Sequence, residues 1–159
     1  MFDRLIEILQ SQLSLFSELL ELSRQKKAYL VKNDIEGIRR LTACENSLIG
    51  KLQRLERERV SMVSDLAKRL NVSITGLTLT KLAESAREPQ VKKQLGCLRV
   101  QLRSQMDELK SVNEQNKTLI NHSLEYIDFT MNLLRNTVSG PVYAGDEEIH
   151  GQVFFDARG

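Results

Sequence analysis

Tryptophan is absent from this chain of 159 residues, proline, cysteine and histidine occur twice each, and glycine only eight times. With so few helix breakers, and with Leu, Lys, Arg, Glu and Gln abundant, the composition is that of long helices and coiled coils in one domain of ordinary size. The histidines, His122 and His150, form no cluster with Cys, Asp or Glu at metal-ligand spacing, so no metal site is expected. No glycine-rich phosphate cradle, no nucleophile with a nearby histidine and no paired carboxylates on a rigid site can be found. The expectation is a protein without catalytic residues or cofactor. Charge of one sign is also lacking: 23 basic and 21 acidic residues leave +2, interspersed along the chain. No footprint for DNA, RNA or an anionic membrane therefore stands out. The opening MFDRLIEILQSQL carries Asp3 and Glu7 where a secretory signal carries positive charge, and no apolar run is long enough to span a bilayer. A cytosolic, soluble protein without membrane insertion is expected, in which Cys44 and Cys97 are reduced thiols; a disulfide clamp between two helices is the alternative.

What the chain does have is heptad spacing. Phe2, Ile6, Leu9, Leu13, Phe16, Leu20, Ser23, Lys27 and Leu30 step by four and three, with Leu5, Ile8, Leu15, Leu19, Leu22 and Tyr29 on a neighbouring stripe. This first helix turns basic from Arg24 to Lys32, which reads either as a solvated helix end or as a surface for an anionic partner. Asn33-Asp34 offers a break and an N-cap, with Gly37 close behind. A second helix then follows the seam Ile38, Leu41, Glu45, Leu48, Leu52, Leu55, Arg59, Met62, Leu66, antiparallel to the first. The segment NVSITGLTLT loses the strong helix formers and reads as a loop, a short β-hairpin being the competing possibility. A short connecting helix is expected to start after Thr80 and end by Glu88. Pro89 suits the first turn of a third long helix, from about Gln90 to Arg135, on the seam Val91, Leu95, Leu98, Leu102, Gln105, Leu109, Val112, Asn116, Leu119, Ser123. Asn113 and Asn116 within that region either fix register or bond to a partner's backbone.

The late part of the third helix differs from the rest. Ile120, Leu124, Ile127, Met131 and Leu134 fall on one stripe, and Leu119, Tyr126, Phe129 and Leu133 on a second beside it. The apolar arc spans roughly 220°, against the 100° or so that a one-sided surface helix needs. Either a bundle covers both stripes, or one is left for a partner's helix. After Asn136 the sequence has no useful period and reads as a flexible tail, 137–159, appended to a helical bundle domain, 1–136. Val142, Tyr143, Val153, Phe154 and Phe155 in that tail suit a short linear docking element.

The order of these features, with the turn Asn33-Asp34-Ile35-Glu36, the run from Leu109 through Asn113 and Asn116 to Leu119-Ile120, the segment SLEYIDFTMNLL and a glycine-containing tail around Tyr143, resembles the FlgN-type flagellar export chaperones. The resemblance covers essentially the whole chain and is most specific from Leu109 to Tyr143. It implies a cytosolic chaperone that holds hook-associated (hook-filament junction) proteins of FlgK and FlgL type and brings them to the flagellar type III export gate. It implies further that Leu119, Ile120, Leu124, Tyr126, Ile127, Phe129, Met131 and Leu134 lie in the client-binding helix, and that Tyr143 is similar to a tail tyrosine used for gate docking. In the family Gly commonly follows that Tyr directly; here Ala144 intervenes before Gly145.

The fold expected is therefore all-α: an elongated antiparallel helical hairpin plus a third long helix, as a three-helix bundle or coiled coil with a flexible C-terminal tail. The function expected is a chaperone, monomeric or a weak homodimer, with a structural coiled-coil adaptor or homodimer lacking chaperone activity as the alternative.

Overall fold

Two asparagines in the left-handed region, Asn33 and Asn71, both at φ 53°, divide the chain. Asn tolerates this conformation better than most residues with a side chain, and it closes a helix by turning the backbone back on its last carbonyls. Both sites do this in the same way. Asn33 N–H donates to Leu30 O and Asp34 N–H to Tyr29 O, while Asn71 N–H donates to Lys68 O and Val72 N–H to Ala67 O. The computed structural model describes residues 2–75 and 77–138, and among these residues there is no strand. Four helices follow in order: α1 Asp3–Lys32, α2 Ile35–Leu70, α3 Leu79–Glu84 and α4 Pro89–Val138. The all-α expectation and the break at Asn33-Asp34 hold, the described residues of the NVSITGLTLT segment form no strand, and Cys44 and Cys97 are free thiols. Thr137 and Val138, expected to begin the tail, belong to α4, and residues 139–159 fall outside the described residues.

One boundary differs from the sequence reading. The short helix is capped by Thr78, whose side chain accepts from Lys81 N–H, rather than starting after Thr80. Thr78 is extended while Thr80 already lies inside the helix, so the first hydroxyl able to meet a free N–H three residues on takes the cap.

The chain divides into two compact units, Met1–Ser123 and Leu124–Gly159, and α4 contributes to both. In the first unit, α1 and α2 are antiparallel, stitched by Arg4 to Glu58 at 2.9 Å, Gln12 to Glu56 at 3.1 Å and Lys26 to Glu45. They approach closely at the turn. Asp34 accepts from Gly37 N–H at 2.9 Å, and a Cβ on Gly37 would overlap the Tyr29 ring, so only glycine fits there. Within this unit α4 runs parallel to α1, because residues about 90 apart in sequence meet: Ser23 with Asn113 and Asn116, Lys27 with Gln115, Asn33 with Ser123.

The apolar core lies toward the Phe2 end. Phe2, Leu5, Ile6 and Leu9 of α1 pack with Leu66 of α2, Leu82 and Ala83 of α3, and Leu95, Leu98 and Leu102 of α4. The six-residue α3 is stable only because two of its residues are sealed into this cluster. Nearer the α1–α2 turn the interior becomes polar. Ser23 and Asn116 are buried, Asn116 Nδ2 donates to Ser23 O at 2.8 Å, and Ser23 Oγ lies 3.1 Å from Asn113 Oδ1 and 3.4 Å from Glu45 Oε1. Lys26 and Glu45 close the layer, their side chains only 16% and 14% exposed.

A half-sealed ion pair is costly to break from one side. Glu45→Ala should lower unfolding stability by about 2 kcal/mol, whereas the joint replacement Lys26→Met with Glu45→Leu should cost less than the single change. Urea unfolding of both variants checks this; a neutral Glu45→Ala would show that Lys26 does not depend on its partner.

Candidate functional site

On α4 up to Ser123, burial follows the heptad seam. Leu95, Leu98, Leu102 and Asn116 are buried, and Val91, Gln105, Leu109, Val112, Leu119 and Ser123 are half-buried. The adjacent row, Met106, Asn113 and Ile120, is exposed. The site residues expected from sequence divide accordingly: Leu119 is half-buried and Ile120 is exposed. Farther along α4, Leu124, Tyr126, Ile127, Phe129, Met131 and Leu134 are all exposed, with Tyr126 at 67% and Phe129 at 60%. Folding an apolar stripe into a bundle core brings such residues below about a tenth exposed, as it does Leu95 at 0%.

The polar residues around the stripe sharpen its edges. Thr130 Oγ donates back to Tyr126 O at 2.9 Å, and Thr118 Oγ to Glu114 O at 3.1 Å, so both hydroxyls are satisfied by their own helix. Asn121, Glu125, Asp128 and Asn132 are exposed and line the opposite sector, as the helical step requires. The result is a contiguous run of aliphatic and aromatic side chains bordered by amides and carboxylates. Leu133 belongs with it: it is exposed one turn after Phe129, and that four-residue spacing is the signal that adds it to the site residues read from sequence. Tyr143 lies outside the described residues.

Chemically, such a surface consists of apolar contact area with few polar groups. Exposed Leu, Ile, Met and Phe supply adaptable contact area, Tyr126 adds a polar tip, and the i, i+3, i+4, i+7 spacing matches the apolar stripe of another amphipathic helix. A second apolar feature lies within the Met1–Ser123 unit. It is a groove of about 600 Å³ whose walls include Leu9, Phe16, Leu52, Leu79, Leu102 and Met106, with Glu56 and Arg59 at its margin. Arg59 grips both oxygens of Glu56, at 2.8 and 2.6 Å, and holds that carboxyl below the usual range against the opposing effect of burial. Among the described residues no group of His, Cys, Asp and Glu could hold a metal ion, and no helix is long and apolar enough to cross a membrane.

The described residues form an all-α bundle whose longest helix exposes a periodic apolar run. The family model described as FlgN protein matches residues 1–148, and the chain belongs to that family. Its general role is that of a flagellar export chaperone. Comparison with curated proteins and with solved structures gives no match.

Exposed side chains contribute little to folding and buried ones much. Phe129→Ser should change unfolding stability by less than about 0.5 kcal/mol, while Leu95→Ala should cost about 2–5 kcal/mol. Thermal and urea unfolding of the two variants, compared with the parent chain, decides whether the late stripe belongs to a core.

Proposed function

We propose that the stretch from Leu119 to Leu134 receives an amphipathic helix from hook-associated, hook-filament junction proteins of FlgK and FlgL type, and that the chain delivers them in the cytoplasm to the flagellar export gate. The observation that carries this reading is the run of exposed apolar side chains through Ile120, Leu124, Tyr126, Ile127, Phe129 and Met131. A client segment laid on it would have its own apolar face covered, which suppresses aggregation and premature assembly. Ordering a mobile client segment costs free energy, so affinity is moderate and the cargo can be released.

The division of labour we propose places client binding in a helical domain, 1–136, and gate docking in 137–159, with Tyr143 as the docking residue. The free protein is a monomer or weak homodimer. A coiled-coil adaptor or homodimer without client binding is the competing reading, and the same side chains would then be occupied by a second copy.

Two experiments separate these readings. Ile127→Ser combined with Phe129→Ser should weaken binding of a hook-associated protein's C-terminal segment by about thirtyfold or more, with an unchanged melting temperature. Titration calorimetry measures the affinity, and light scattering on the free chain measures the oligomer; a stable dimer that ignores the segment would favour the adaptor. Tyr143→Ala should leave client affinity intact and reduce capture by the export gate protein in a pull-down. Equal capture by parent and variant would remove Tyr143 from the docking role.

A further inference from the structure

The α1–α2 turn concentrates charge that the remainder of the chain disperses. From Arg24 to Arg40 stand six basic residues, Arg24, Lys26, Lys27, Lys32, Arg39 and Arg40, against two acidic ones, Asp34 and Glu36; the local surplus of four exceeds the +2 of the whole chain. Half of these cations already have partners. Arg24 pairs with Glu108, Lys26 with Glu45, and Lys27 donates to the Gln115 amide at 3.2 Å. Lys32, Arg39 and Arg40 are exposed and make no ion pair among the described residues. Asp34 is committed to capping Gly37 N–H, and Glu36, one helical turn before Arg39 and Arg40 on α2, is exposed and forms no ion pair with them.

Beside these cations are two large aliphatic side chains left in water. Val31 is 65% exposed and Ile35 is 71% exposed, as open as Tyr126 on α4. Ile35 and Arg39 are one helical turn apart and share a face of α2. The contact between Ser123 Oγ and Asn33 Oδ1, at 3.4 Å, brings α4 against the turn, with the exposed Ile120 three residues earlier. Exposed aliphatic and cationic side chains thus fall together within residues 31–40, on the two helix ends that flank one turn.

We propose that the α1–α2 turn is a second docking surface, distinct from the late α4 stripe, for an acidic protein segment carrying aliphatic side chains between its carboxylates. The charge selects the sign: Arg39 and Arg40 can each hold a carboxylate through two parallel N–H donors, and Lys32 adds a point charge. The aliphatic pair selects the class. Bases of a nucleic acid require planar stacking partners, which Val31 and Ile35 do not supply. A bilayer surface requires a longer apolar face than two side chains. A peptide with Leu or Ile flanked by Glu or Asp satisfies both kinds of group together.

The test uses the full chain and a synthetic helical peptide with Leu at i, i+3, i+4 spacing and Glu at the flanking positions, followed by backbone amide NMR. Shifts should concentrate between Val31 and Arg40 and fade as salt is raised. Reversing the charges together, by Lys32→Glu, Arg39→Glu and Arg40→Glu, should weaken that binding by about tenfold at low salt. These side chains are exposed, so the circular dichroism melt should not move. The Ile127→Ser, Phe129→Ser variant should keep the shifts at the turn, which separates this surface from the client site. Shifts confined to residues 120–131, unchanged affinity after charge reversal, or binding to phosphatidylglycerol vesicles with none to the peptide would each overturn the proposal.

Discussion

The amide of Asn116 on the Ser23 carbonyl sets the register on which everything else rests. It is a buried polar group within an otherwise apolar seam, donating at 2.8 Å across the interface between α1 and α4. Its Oδ1 is buried without a partner among the described residues, so the site carries a desolvation cost of about 1–3 kcal/mol that leucine at the same place would avoid. That cost is the usual accompaniment of a register device. Sliding α4 by three or four residues along α1 would keep most of its leucines facing inward, since Leu95, Leu98 and Leu102 are nearly interchangeable in shape. It would also move Asn116 off Ser23 and leave two polar groups buried among side chains that cannot bond to them. Fixing that pair fixes which row of α4 faces inward, and therefore which row, from Met106 through Asn113 to Ile120, faces water.

The interior divides its tasks along the first unit. Apolar packing is concentrated toward the Phe2 end, where α3 adds Leu82 and Ala83 to the cluster. Polar bonding is concentrated around Ser23, Lys26, Glu45 and Asn116, where it contributes specificity more than stability. Folding of the bundle is thus served by residues other than the late α4 stripe. On the function proposed above, that freedom leaves the stripe to a client. The same freedom explains how the α1–α2 turn can carry Val31 and Ile35 in water: the tight joint at Gly37 and the asparagine cap hold the turn without them.

Much of this was readable from spacing alone, because an α-helical bundle buries residues by a period that the sequence displays directly. The α4 seam from Val91 to Ser123 coincides with the buried and half-buried positions, and the Asn33-Asp34 break falls at the turn. Where reading failed, the deciding partner lay far away in sequence. Lys27 occupies a seam position yet is exposed and reaches Gln115, while the neighbouring Lys26 is the one drawn inward, because Glu45 awaits it on α2. Ile35 and Ile49 lie off the α2 seam and both are exposed. Gly37, close behind the Asn33-Asp34 break, is a buried contact point inside α2, a role set by the Tyr29 ring. In the candidate site the period identified the stripe, but periodicity cannot distinguish a face covered by its own chain from one left for another. Among the described residues Leu124, Tyr126, Ile127 and Phe129 are exposed, which the period by itself does not show.

A carrier of the kind proposed must keep apolar surface in water without joining its own copies, a demand that falls on the polar sector beside the late stripe. That sector holds Asn121, Glu125, Asp128, Asn132 and Arg135, so the rim carries charges of both signs, and on the proposed reading a guest is matched to that pattern as well as to the apolar stripe. At the α1–α2 turn the border is basic instead, through Lys32, Arg39 and Arg40. On the two proposals made above, the late stripe and the turn differ in rim charge and so take partners of different chemistry.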